Sequence, residues 1–410
     1  MIKNKYKKIV SAMLLIAMIA TTFSVDVFAD PEHSEGGLLS DNANYTNGGK
    51  STELGTTNGY ITKIDKDTFK KCKQLNSLDN LILNKSVEEI DDYAFNGFTK
   101  LKSITIPNSV TKIHKDAFKG CRSLESVTTD NCKVINSFKI LFSDSPVLTS
   151  VTIGDGIKCI GDGAFQGCTD LKSITVPNSV KKVGDRAFQN CNGLESITIP
   201  NNVKTIGANA FSGCTELTSI AIPNSVTTIG DRAFGNCSSL IEVKIGESVL
   251  KSFKSIFSGS LNITSVTIED GVKEINACTF ENCTRLKKIT IPKSISYIGD
   301  RAFQDCMSLT EIKIIEATEE NNKGLKEIGN RTFQNCMNLT SITIPKSVKN
   351  VGICAFQDCR NLSQVIYNGE SDPDRINAFD ECSKLQKVSV QQKYKDNKFC
   401  GIEIEKEVGK

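Results

Sequence analysis

The sequence predicts a repeat solenoid, predominantly β, built from about fourteen coils of 23 residues with short parallel strands and single helical turns. Three observations carry that expectation. Phe69, Phe95, Phe118, Phe142, Phe165, Phe188, Phe211, Phe234, Phe257, Phe280, Phe303, Phe333, Phe356 and Phe379 recur mostly at steps of 23 residues. Around them runs one motif, clearest in Cys168 to Asn190 (CTDLKSITVPNSVKKVGDRAFQN). One such copy cannot bury its own apolar face, but stacked copies share a continuous core. The composition agrees, with 24% charged and 39% hydrophobic residues among 410, which suits neither wholesale disorder nor a polytopic membrane protein. With only two histidines and no tryptophan, the chain has little material for a His-dependent enzyme.

In chain order, residues 1–29 read as a signal peptide. Lys3, Lys5, Lys7 and Lys8 precede a short apolar run from Ile9 to Ala20, and Val27-Phe28-Ala29 places small residues for cleavage between Ala29 and Asp30. That run is shorter than a membrane span needs. The segment carries four Lys and one Asp, a net +3, so the whole-chain +3 becomes 3 − 3 = 0 after cleavage. A neutral exported chain, with no transmembrane segment once mature, does not point to nucleic acid as a partner. Residues 30–58, rich in Gly, Asn, Ser and Thr, are expected to form a flexible N-terminal segment, since they offer little apolar surface to offset ordering entropy.

The solenoid is expected over 59–388, and each motif position has a physical task. Leu171, Ile174 and Val176 alternate into the core as a short strand. The proline after it (Pro107, Pro177, Pro200, Pro223, Pro292, Pro345) lacks an N–H for a further ladder bond and ends the strand. Val180 and Val183 return to the core through a second extended segment. A glycine then turns the chain at Gly161, Gly184, Gly207, Gly230, Gly299, Gly329 and Gly352, replaced elsewhere by Asp65, Asp91, His114 or Asn276. Those substitutes tolerate φ > 0, so the position is expected to be left-handed and His114 to be a turn residue. The Ala-Phe pair is expected to open one helical turn and to stack its ring on those of neighbouring coils.

The repeated I-P-x-S-V-x-x-I-G-x-x-A-F-x-x-C-x-x-L, as in Ile199-Pro200 through Leu217, resembles the BspA-type leucine-rich repeat family of exported surface proteins. The likeness covers about 60–388, and residues 389–410 are expected to form a C-terminal cap and tail. The motif is specific for architecture and weak for function, because the fold itself needs every motif residue. Two divergent units, 137–153 and 252–268, lie 115 residues apart, or five coils, and point to duplication of a five-coil block. Phe138 and Phe253 are expected to fill the core there.

Eleven of the sixteen cysteines stand three residues after the marker Phe (Cys72, Cys121, Cys168, Cys191, Cys214, Cys237, Cys283, Cys306, Cys336, Cys359 and Cys382). Equivalent residues of adjacent coils stack about 4.8 Å apart with parallel side chains, which does not suit the disulfide dihedral of about 90°. We therefore read them as buried thiols acting as small hydrophobes. Cys278/Cys283 and Cys354/Cys359 repeat a C-x-x-x-x-C spacing, but no histidine accompanies it and it is not a zinc pattern. No metal, cofactor or catalytic residue is assigned. Asp162, Asp185, Asp231 and Asp300 recur after glycine as turn-formers rather than as a unique carboxylate pair.

Binding is expected on the open face of the first strand. Ser173, Thr175, Ser196, Thr198 and Ser219 typify a small, polar, nearly uncharged ladder on what the resemblance implies is the concave face. Glu242, Lys244, Lys288, Glu311 and Lys313 interrupt it, next to an insertion at 315–323 that includes Glu316, Glu319 and Glu320. Insertions in repeat arrays are loops that often carry function. The resemblance implies a secreted or cell-surface, non-enzymatic protein that adheres to proteins of a host surface, matrix or plasma, or to surface glycans. The alternative is a structural or glycan-binding component of the organism's own envelope.

Overall fold

A computed structural model describes residues 62–69, 79–83, 85–114, 116–129, 142, 147–246, 255–316, 324–373 and 377–406. It is a parallel β-solenoid with two stacks of short strands. In the first stack, Ser103–Ile106, Ser126–Thr129, Ser150–Thr152, Ser173–Thr175 and Ser196–Ile197 run side by side in register, with Ser126 opposite Ser150 and Ser173 opposite Ser196. In the second, Cys159–Ile160, Lys182–Val183, Thr205–Ile206 and Thr228–Ile229 pair in parallel. The strand-stopping prolines act as expected: strands end at Ile106, Ile222, Ile291 and Ile344, one residue before proline. Each proline carbonyl then accepts the N–H three residues on, as Pro177 does from Val180 at 3.1 Å, and this turn feeds the second strand.

The core is one continuous column. Leu171, Val180 and Val183 are almost fully buried, and the marker rings stack from Phe69 to Phe379 with centroids 4.8–5.7 Å apart. The regular turns number about twelve, fewer than the fourteen rings. Among the described residues, the coils of Phe69, Phe142, Phe257 and Phe379 show only one of the two strands. Phe138 and Phe253 lie outside the described residues.

Two local expectations are corrected. The glycines at 161, 184, 207, 230, 299, 329 and 352 are not left-handed, nor are Asp65, Asp91, His114 and Asn276. Glycine stands there because the coils touch: a Cβ on Gly184 would lie 2.5 Å from Asp162 Oδ1 and 2.6 Å from the Asp162 nitrogen. The expected helical turn is also absent, and no described residue is helical. Left-handed residues at Arg186 (φ 56°) and Asn190 (φ 59°) break any helix, leaving consecutive β-turns such as Gln189 N–H to the Arg186 carbonyl at 3.1 Å. Alternate N–H groups donate to the following coil instead, from Arg186 to Ala208, Phe188 to Ala210 and Asn190 to Ser212. This third ladder closes the coil. The Asn, Gly or Asp directly before most of the ladder cysteines (Gly120, Gly167, Asn190, Gly213, Asn236, Asn282, Asp305, Asn335, Asp358) is the sequence signal for it.

The thiols form a ladder of their own. Cys191, Cys214 and Cys237 are buried, and each S–H donates to the marker Phe carbonyl of the preceding coil, at 3.0, 3.2 and 3.3 Å. Where the sequence substitutes Ser260, its hydroxyl makes the same bond to the Phe234 carbonyl at 2.8 Å. Most coils thus place a small side chain with a donor here, whereas the coil of Phe95 fills the position with the buried Phe98. Burial pushes the thiols of Cys121, Cys168 and Cys237 up to about 12. Cys278 and Cys354 are half-buried at left-handed turn positions, whereas Cys283 and Cys359 are in the core. Because the thiolate is the reactive species, iodoacetamide at pH 8 should label Cys159, Cys278 and Cys354 in the native protein and spare Cys168, Cys191 and Cys214. Peptide mapping reads this directly, and fast labelling of the ladder would contradict it.

At the C-terminal end the first stack continues through Gln364–Tyr367 and Val388–Val390 to Ile402–Lys406, which also pairs antiparallel with Lys398–Phe399. Phe399 is fully buried, and its ring centroid lies 4.7 Å from that of Tyr367 and 5.9 Å from that of Phe379.

Candidate interaction surface

Because strand side chains alternate in direction, burying Ile174, Ile197 and Ile220 turns their neighbours outward. Ser173, Thr175, Ser196, Thr198 and Ser219 are all exposed. Register aligns them into rows, with Ser150 and Ser173 opposite, and Thr152 opposite Thr175. Thr198 falls just past the end of its strand.

The same register inserts the charges into those rows. Glu242 stands between Ser219 and Ser265, and Lys244 between Ala221 and Thr267. Lys288 faces Glu311, and Thr290 faces Lys313. Most of the charge is compensated: Lys288 Nζ lies 2.6 Å from Glu311 Oε2, and Lys244 Nζ 2.9 Å from Glu269 Oε1. Hydrogen bonding to Lys288 lowers the Glu311 carboxyl, and that to Glu269 raises the Lys244 ammonium. Ile241, 50% exposed, adds an apolar side chain beside Glu242. Glu316, at the start of the insertion, accepts a hydrogen bond from Asn368 Nδ2 at 2.8 Å. Glu319 and Glu320 lie outside the described residues.

The recurrent aspartates do more than turn the chain. Asp162 Oδ1 accepts the Asp185 N–H at 3.0 Å, and Asp185 Oδ1 accepts the Ala208 N–H at 2.9 Å, so each carboxylate ties its coil to the next. An apolar void under the second divergent unit, lined by Ile222, Ile245, Ile256, Val272 and Phe280, measures about 10 Å³, room for at most one water.

Among the described residues, Glu89, Asp91 and His114 bring ligand-type atoms together. The His114 ring is 2.9 Å from Glu89 and 3.4 Å from Asp91. Lys112 and Lys63 also meet Glu89, at 2.8 and 3.4 Å, and Lys63 meets Asp91 at 3.0 Å. The acids already have cationic partners, so the group reads as an ionic clasp across three coils. His114 therefore has a side-chain role that sequence reasoning missed. Hydrogen bonds from Lys112 and then His114 pull the Glu89 carboxyl down to about 2 from an ordinary 4.5. A carboxyl lowered in the folded state contributes stability above its unfolded pKa and loses it on acidification. Glu89→Gln should thus flatten the acid side of the stability profile between pH 4.5 and 2. Denaturant midpoints across that range check it.

Known proteins resemble the chain. The sequence model of the BspA type leucine rich repeat region matches residues 44–140, 138–261, 253–324 and 318–406. A leucine-rich repeat protein from Bacteroides ovatus is 28% identical over 78% of this chain and 88% of its own, with a TM-score of 0.53. A leucine rich cell surface protein from Faecalibacterium prausnitzii is 24% identical, over 76% and 88%, with a TM-score of 0.40. The pneumococcal vaccine antigen PcpA is 19% identical, over 76% and 75%, at 0.36. No curated protein matches the chain.

Proposed function

The chain belongs to the BspA-type leucine-rich repeat family, and from that premise we propose that it is an exported, non-enzymatic adhesion protein. Its first-strand face binds proteins of a host surface, matrix or plasma. The observation that carries this reading is the exposed, in-register Ser/Thr face interrupted by Glu242, Lys244, Lys288, Glu311 and Lys313. A long array of small polar side chains gives extended area, and the charges give one stretch of it an identity that the rest lacks. Export follows from the basic and apolar pattern of residues 1–29 with cleavage between Ala29 and Asp30. Residues 30–58 then act as a lead-in, 59–388 as the solenoid and 389–410 as cap and tail. No helix among the described residues is long and apolar enough to cross a membrane.

The test uses immobilised mature protein and candidate matrix and plasma proteins. Charge reversal at Lys244 and Lys313, combined with deletion of 315–323, should weaken retention at least 10-fold without unfolding the array. Unchanged retention would clear that stretch of the face. Retention of purified envelope glycans alone would replace adhesion with a role in the organism's own envelope.

A further inference from the structure

A second surface, away from the Ser/Thr face, has a different character. Lys158, Lys181 and Lys204 occupy the same place in three consecutive coils, just before the second strand. The Lys181 N–H donates to the Lys158 carbonyl, and the Lys204 N–H to the Lys181 carbonyl, both at 2.8 Å. Lys182 stands beside them in the strand, opposite Cys159 and Thr205. All four lysines are exposed, and none has an ion-pair partner among the described residues. Several other exposed lysines do have one: Lys102 pairs with Asp79, Lys172 with Glu195, Lys293 with Asp270 and Lys398 with Glu403. What sets the stripe apart is that four open lysines adjoin one another in three consecutive coils. Asp162 and Asp185, each four residues downstream of a stripe lysine, are committed to backbone N–H groups of the next coil. Asp155 lies three residues before Lys158 and has a partner of its own.

We propose that this stripe binds a linear polysaccharide bearing carboxylate or sulfate groups, laid along the solenoid axis. The ammonium groups repeat at the inter-strand spacing of about 4.7–4.9 Å, close to the length of one sugar in an extended chain. Such an array meets a polyanion at several points at once. Asn178 and Asn201, exposed and three residues before Lys181 and Lys204, border the stripe with amides suited to sugar hydroxyls. The aromatic platforms on which single-stranded nucleic acids stack are missing. The aromatic residues of 155–207 are Phe165 and Phe188, and both are buried in the spine. This surface and its ligand are separate from the protein-binding face proposed above, so either reading can fail alone.

Heparin is the probe, with the full mature chain eluted from a heparin column and titrated in solution. The K158Q/K181Q/K182Q/K204Q variant should bind at least 10-fold more weakly near 0.1 M salt. Its slope of log K against log salt should fall by roughly 3, at about 0.7–0.9 per lost ionic contact. The double variant K181Q/K204Q should show about half that change. A control with the same charge loss at paired lysines, K102Q/K172Q/K293Q/K398Q, should bind like the parent, and all variants should keep the parent's unfolding midpoint. Equal loss in the control would reduce the effect to bulk charge and overturn the proposal. So would failure of the parent to bind heparin, or binding of a single-stranded oligonucleotide of matched charge as tightly as heparin.

Discussion

Phe211→Ala should lower the unfolding free energy by roughly 3–5 kcal/mol, the range for truncating a buried aromatic side chain. The ring is fully buried and lies between Phe188 and Phe234, with centroids 5.1 and 5.0 Å away and planes within 7° and 1° of parallel. Neither neighbour can collapse into the gap, because each is itself held by a ring on its far side. The location adds a second consequence. A solenoid holds together through contacts between adjacent coils, so a weak interface in mid-array divides the chain into two blocks. Urea unfolding followed by far-ultraviolet circular dichroism should therefore show the lower midpoint and a broadened or two-step transition. A loss below about 1 kcal/mol would remove the ring column from its place as the main source of stability.

At Gly184 the expected effect is an overpacking penalty of roughly 1–3 kcal/mol for Gly184→Ala, with Gly184→Asn at least as damaging. A Cβ there has no room: Asp162 Oδ1 is 2.5 Å away, the Asp162 nitrogen 2.6 Å and the Gly161 carbonyl carbon 2.7 Å. Gly97 provides the contrast. Its φ is +93° and a Cβ would meet nothing within 4 Å, so the demand there is conformational and Asn should be tolerated better than Ala. Opposite Ala/Asn orders at the two sites, measured by denaturant midpoint, separate lack of room from left-handed backbone. Asn milder than Ala at both would restore the left-handed explanation for Gly184.

The fold was legible because periodicity needs no knowledge of contacts. A Phe at steps of mostly 23 residues, the Pro after six of the first strands and the Ile/Val alternation define core, strand end and strand face within a single coil. Positions whose reason lies in another coil carry a sequence signal for their place but not for its cause. At Gly184 the sequence points to backbone conformation, whereas Asp162 of the preceding coil excludes a side chain. The Ala-Phe segment has the local pattern of a helical turn, whereas the Phe N–H reaches the following coil. Asp185 has the sequence setting of a turn-former, and its carboxylate also holds the Ala208 N–H of the next coil.

The candidate surface divides in the same way. The Ser and Thr rows could be read directly, since exposure follows from alternation once Ile174 and Ile197 are inside. The pairing of Lys288 with Glu311, 23 residues apart, and of Lys244 with Glu269 had no signal within one repeat. The same holds for the His114 clasp and for the unpaired lysines at 158, 181, 182 and 204. By itself the sequence determined what every coil must do alone: bury its Phe and Leu, end its strand and present Ser and Thr outward. The tertiary structure alone decided which charges are compensated and which stand open. Stacking brings residues about 23 apart to within one strand spacing, and the two coils together, rather than either one, set the room and the field at each position.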